Sequence, residues 1–216
     1  KTEGIIDFDV VDLRDFGQGN YRQIDDTPYG GGGGMVLMAE PLFAALDHAI
    51  ANIGASTNLR IIYPSPQGLQ WSQDAAQENS SLENLIFICG HYKDIDHRVI
   101  DKYVTHEFSI GDYVVTSGEI PTMIMIDSIV RLLPGVLNNF DSAKTDSFFS
   151  ESILDAPYYT KPKKIDGLSV PEVLMSGNHE KIAAWREDER IRRTEVKRPD
   201  LAHVRAKKLE SLENQS

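Results

Sequence analysis

Two short apolar runs, LRIIY at 59–63 and LIFIC at 85–89, constrain this chain more than any other feature. Neither alternates polar with apolar, so each reads as a strand covered on both faces, as in a parallel sheet with helices on either side. Between them Ser72 stands ahead of a plausible helix, and strand, helix and strand together have the length of one parallel crossover. The expected class is therefore α/β. IIDFDVVDL (5–13) reads as a further strand, and PLFAALDHAIANIG reads as a helix with Pro41 at its start and Gly54 just past its end. A short helix is expected around 95–103, with strand candidates at 105–109 and 112–116. EIPTMIMIDSIVRLLPGVL reads as a helix begun by Pro121 and closed by Pro134-Gly135; it is apolar on nearly every side and is expected to be buried. Composition shifts at 138–152 to a polar linker or lid. Helices then follow at 178–192, capped by Asn178, and at 199–213, with Pro199 in the first turn. No apolar run approaches about 20 residues, so no membrane span is expected. KTEGIIDFDV lacks the shape of a signal peptide, and the one cysteine, Cys89, excludes an internal disulfide framework.

Gly30 to Gly34 form a run of five glycines that no regular element favours. Without a following GK[ST] the run is not a P-loop, which leaves a backbone cradle or a plain loop. Three loops fall at strand ends: Pro64-Ser65-Pro66-Gln67-Gly68, Gly90-His91-Tyr92-Lys93-Asp94 and Ser109-Ile110-Gly111-Asp112-Tyr113. Ligands of open α/β sheets bind beyond the carboxyl ends of strands, so these loops together define one candidate pocket. His91, Asp94, Asp96 and His97 match no zinc or calcium spacing, and helix-start caps account for them better than a metal does; no metal ligand is assigned. Cys89 ends an apolar strand and reads as an inert thiol. Arg131 stands in an otherwise apolar helix, where a guanidinium needs an anion; Asp127 one turn earlier and a substrate acceptor are both open to it.

The formal net charge is −11, but it is unevenly spread. Residues 181–208 hold ten basic and five acidic side chains, whereas residues 1–180 hold 12 basic and 26 acidic ones. An acidic body with a basic tail suits a phosphate-bearing partner at one end, and it equally suits a salt-bridged helix surface.

In order along the chain, RDF (14–16), DDTPYGGGGGM (25–35), SPQG (65–68), CGHYKDIDHRVID (89–101), SIGDYVV (109–115), DSIVRLLPGVL (127–137), TDSF (145–148) and SGNHEKIAAWR (176–186) resemble the bacterial tRNA (guanine-N1)-methyltransferase family of the SPOUT superfamily. The resemblance implies a SPOUT-type parallel sheet with a deep trefoil knot over 1–137, a linker or lid over 138–155, and a small helical tRNA-binding domain over 156–216. It implies S-adenosylmethionine held by Pro64, Ser65, Gly68, Gly90, Tyr92, Ile110, Gly111, Tyr113, Val114 and Val115. Asp146 would be the general base and Arg131 the stabiliser of O6 during methylation of N1 of guanosine 37 in tRNA. Magnesium dependence, a homodimer with its active site between subunits and a cytoplasmic location are implied as well. The family begins about one strand and helix earlier than Lys1, so an incomplete N-terminus is expected. Lys93 and Asp94 stand where a glutamate and a glycine are usual, Ser117 where glycine is usual, and Gly33 where proline is usual. These departures motivate an alternative, a non-catalytic RNA-binding module that keeps the fold. A nucleotide-dependent oxidoreductase lacks its GxGxxG fingerprint.

Overall fold

The structure is a computed structural model that describes residues 4–54, 56, 58–137, 145–149 and 152–202. It divides into two compact units, Lys1–Asn138 and Asn139–Ser216. The first is built on a parallel sheet in the order β4-β3-β6, with β3 (Leu59–Gln70) between β4 (Asn84–Phe87) and β6 (His106–Ser109). Alternation along β3 divides the interior. Ile61 and Tyr63 join a core with Leu42 and Leu46 of α1 (Ala39–Ile53) and Val99 of α3 (His97–Tyr103). Ile62 faces Phe108 and Met125 on the side of α2 (Gln73–Ser80) and α4 (Glu119–Val130). Both faces of the sheet are covered, as the apolar strands require.

Local chemistry sets the helix limits. The Ser72 and Asp96 side chains accept from the Ala75 and Arg98 N–H groups at the starts of α2 and α3. Gly54 ends α1 at φ +80°, and Pro41 and Pro121 each sit in a first turn. A second, three-stranded sheet has the order β1-β2-β5 (Asp25–Asp26, Val36–Leu37 and Asp94–Ile95), β1 antiparallel and β5 parallel to β2. The glycine run is the connection from β1 to β2.

Three expectations need correction. Residues 5–13 form no strand: Asp7, Asp9 and Asp12 each turn a carboxylate onto a nearby backbone N–H, and Leu13–Phe16 close into a 3₁₀ turn. Such local bonds compete with a ladder. Residues 112–116 are a loop, because beyond Ser109 the backbone turns at Gly111, φ +144°, and leaves the sheet. α4 buries only Pro121, Thr122, Met125 and Ile129; Ile120, Met123 and Ile124 remain 52%, 68% and 45% exposed.

The second unit holds a hairpin that the sequence reading missed, β7 (Lys164–Ile165) and β8 (Leu168–Ser169). Asp166 and Gly167 turn it, both at positive φ, the form that Asp-Gly favours. Its long helix α5 (His179–Lys197) is capped by Asn178 and runs one turn further than expected. The helix expected at 199–213 is described only through 202, where 199–202 are helical; of the linker, 138–144 and 150–151 lie outside the described residues. Thr194 of α5, 1% exposed, accepts the Leu154 N–H at 2.9 Å and donates to the Arg190 carbonyl at 2.7 Å. Thr194→Val strands the Leu154 N–H and is expected to cost about 1–3 kcal/mol, read as a lower midpoint in denaturant unfolding.

Candidate functional site

The ten residues implied for the cofactor lie in loops that follow β4 and β6 or interrupt β3. β3 leaves its ladder with β6 after Pro64 and rejoins it at Leu69, both opposite Phe108, so Ser65–Gly68 is an excursion rather than a strand end. Pro64 and Pro66 have no N–H to give to a ladder. Ser65 is buried and its hydroxyl accepts from the Gln67 N–H, shaping the turn. Gly68 is required where the chain returns: a Cβ there would lie 2.4 Å from both the Glu107 carbonyl carbon and the Phe108 nitrogen.

The second loop passes through Gly90, where a Cβ would lie 2.9 Å from the Tyr63 hydroxyl oxygen. Tyr92 follows at φ +63° and is half-exposed. In the third, the Ser109 hydroxyl accepts from the Gly111 N–H at 3.2 Å, and the Tyr113 hydroxyl donates to the Ile110 carbonyl. Tyr113 and Val114 face solvent, and Val115 is half-buried. The second and third loops meet backbone to backbone, with the Gly118 N–H donating to the Gly90 carbonyl at 2.8 Å. A Cβ on Gly118 would reach within 2.6 Å of the Gly90 nitrogen.

The polar groups around these loops are engaged separately. The Tyr63 hydroxyl donates to Asp94 at 2.7 Å, and burial first, then that carboxylate, pushes its pKa well above the ordinary tyrosine value. His91 approaches Glu119 at 3.4 Å; the Ser117 hydroxyl first, and His91 further down, hold the Glu119 carboxyl below its usual value. Asp96 caps α3 and pairs with Arg98, and His97 pairs with Asp101. Among the described residues no three metal-ligating side chains converge. Burial raises the Cys89 thiol, which donates to the Thr122 hydroxyl, so it is a poor nucleophile.

Arg131 belongs to the first unit. It is the C-cap of α4 rather than an interior helix residue, half-buried, with its backbone N–H on the Asp127 carbonyl. A cation there complements the helix dipole. Asp146 belongs to the second unit and lines an open cleft of about 600 Å³ with Ser147, Tyr158, Arg193 and Lys197. The basic stretch is partly neutralised: Arg190 pairs with Glu187, Arg192 with Glu189 and Arg198 with Asp200.

A parallel sheet in which the loops after two strands meet through the backbones of two glycines is the architecture of an α/β domain that binds ligands at its strand ends. The chain belongs to a particular family of such proteins: the sequence model described as tRNA (Guanine-1)-methyltransferase TrmD matches residues 1–204. A tRNA (guanine-N(1)-)-methyltransferase of Staphylococcus carnosus is 50% identical over 201 residues, 93% of this chain and 80% of that protein. Its namesake in Lacticaseibacillus paracasei is 50% identical over 197 residues, 91% and 76% of the two chains. That of Clostridioides difficile is 47% identical over 199 residues, 92% and 85%.

The close approach at Gly68 makes a direct prediction. Gly68→Ala is expected to lose about 1–3 kcal/mol of stability by overpacking. Gly33→Ala, which has open space and an ordinary φ, is expected to leave the thermal midpoint within a degree or two of the parent chain.

Proposed function

We propose that this chain transfers the methyl group of S-adenosylmethionine to N1 of guanosine 37 of tRNA. Membership in the methyltransferase family carries the reaction class, and the contact of Gly118 with Gly90 is the observation that best supports the cofactor assignment. At Gly68, Gly90 and Gly118 a Cβ would run into neighbouring protein atoms, so glycine lets these loops pack close together and leaves their main-chain groups to meet a ligand. Pro64, Ser65, Gly68, Gly90, Tyr92, Ile110, Gly111, Tyr113, Val114 and Val115 would hold the cofactor. When bound, it supplies an electrophilic methyl group on a sulfonium.

Guanine N1 carries a proton that must leave as the new bond forms. Asp146 takes that proton. A free aspartate, with a pKa of about 3.9, is a weak base near neutrality, so the acid it deprotonates has to be strengthened. Arg131 does this by donating to O6, where negative charge develops, a role suited to a guanidinium facing a guanine edge. Magnesium belongs to the same family expectation, but no three ligating side chains converge among the described residues, and no step is assigned to it.

The same reading takes residues 1–137 as a SPOUT domain with a trefoil knot, 138–155 as a linker or lid, and 156–216 as the tRNA-binding domain. The enzyme acts as a homodimer with its site between subunits. The exposed Ile120, Met123 and Ile124 face of α4 supports that assembly, because such an apolar stripe is costly in water. No described helix is long and apolar enough to cross a membrane, and the proposed location is the cytoplasm.

Methyl incorporation into a tRNA transcript is expected with guanosine at position 37 and to vanish when adenosine replaces it. Persistent RNA binding without transfer, at saturating S-adenosylmethionine and Mg²⁺, would favour the non-catalytic module instead. Asp146→Ala is expected to abolish turnover with cofactor affinity retained, and Arg131→Ala to lower kcat by about 10²–10³. In sedimentation, Met123→Glu is expected to shift the dimer to monomer.

A further inference from the structure

We propose that Asp94 is a positioning residue for the cofactor pocket, fixing the Tyr63 ring as the wall against which the Gly90 peptide rests. The inference builds on the assignment of Gly90 to S-adenosylmethionine above. Asp94 is itself held firmly. It opens β5, where it pairs with Val36, and the flanking Lys93 and Asp96 N–H groups donate to the Met35 and Leu37 carbonyls at 3.0 and 2.9 Å. Its Oδ1 accepts two hydrogen bonds, from the Tyr63 hydroxyl at 2.7 Å and from the Ile95 N–H at 2.8 Å. Two donors on one oxygen leave the carboxylate little rotational freedom.

Tyr63 is 6% exposed, so loss of Asp94 would deprive a buried hydroxyl of the acceptor it donates to. It immediately precedes Pro64, where β3 leaves its ladder, and its ring edge touches the site of the missing Gly90 side chain. One side chain therefore meets the start of the first loop and the turn of the second. The Gly90 carbonyl in turn receives the Gly118 N–H of the third loop. A short ladder to β2 is transmitted through a carboxylate and a phenol to the point where the loops converge.

The test compares Asp94→Ala, Asp94→Asn, Tyr63→Phe and the Asp94→Ala/Tyr63→Phe double variant in the full chain. S-adenosylmethionine affinity is read by calorimetry, and KM for cofactor and for tRNA by steady-state kinetics. Asp94→Ala and Tyr63→Phe are each expected to weaken cofactor binding about tenfold, the scale of one buried hydrogen bond. The double variant is expected to be no worse than either single one, and tRNA KM to stay unchanged. Asp94→Asn keeps an acceptor oxygen and is expected to recover most of the affinity. Unaltered affinity in Tyr63→Phe, additive losses, or an equal rise in tRNA KM would overturn the proposal. If Asp94→Ala fails to fold, Asp94→Asn and Tyr63→Phe decide the matter. A parent chain that binds no S-adenosylmethionine overturns the cofactor assignment too, whereas a binding parent with unaltered variants overturns only the role of Asp94.

Discussion

The contact between Gly118 and Gly90 is the constraint around which the first unit is arranged. β4 and β6 are not neighbours, because β3 lies between them, so the loops that follow them can meet only across β3. Side chains are excluded on both residues by their surroundings: a Cβ on Gly118 would lie 2.6 Å from the Gly90 nitrogen, and one on Gly90 would lie 2.9 Å from the Tyr63 hydroxyl oxygen. The stricter requirement is at Gly118, where the neighbours are backbone atoms that cannot turn aside. The excursion of β3 at Ser65–Gly68 belongs to the same arrangement, since a strand held in register throughout would keep its backbone groups in the ladder.

Behind those loops, the sheet provides rigidity by ordinary means. Successive residues of β3 point to opposite faces, so Ile61 and Tyr63 anchor one core while Ile62 anchors the other. The Trp71 indole, just past β3, donates to the Ser128 hydroxyl of α4 at 2.9 Å and meets Phe108 edge-on. The residues that lead into the site are thus fixed from both sides of the sheet. Tyr92, Tyr113 and Val114 by contrast turn their side chains toward solvent.

The central sheet and four of its helices were legible because burial on both faces writes an unbroken apolar run, as in LRIIY and LIFIC, and because Ser72, Asp96, Pro41 and Gly54 mark helix limits by local chemistry. The three loops were legible as loops from their glycines and prolines. Their convergence was not, since the Gly90–Gly118 contact joins residues 28 apart through backbone atoms that every residue carries. The two-residue strands of the second sheet are too short for any period to show, and the Asp-Gly hairpin signal at 166–167 lacks the long flanking runs that usually accompany it. The strand expected at 5–13 shows the reverse: the apolar alternation is present, but its aspartates satisfy the backbone locally.

Charge gives a similar lesson about what a count conceals. A net charge of −11 argues against a polyanionic partner only if charge is uniform, and the basic stretch beyond residue 180 shows that it is not. That stretch is itself an average. Arg190, Arg192 and Arg198 stand beside Glu187, Glu189 and Asp200, so their fields largely cancel at a distance. Arg193 and Lys197 instead line the cleft that contains Asp146. Attraction of any polyanion to this unit would therefore depend on where individual cations sit within a Debye length of a phosphate, not on the sign of the total. On the proposed tRNA reading, a net-negative chain that presents cations at one cleft would gain specificity from the repulsion elsewhere as well as from the contact.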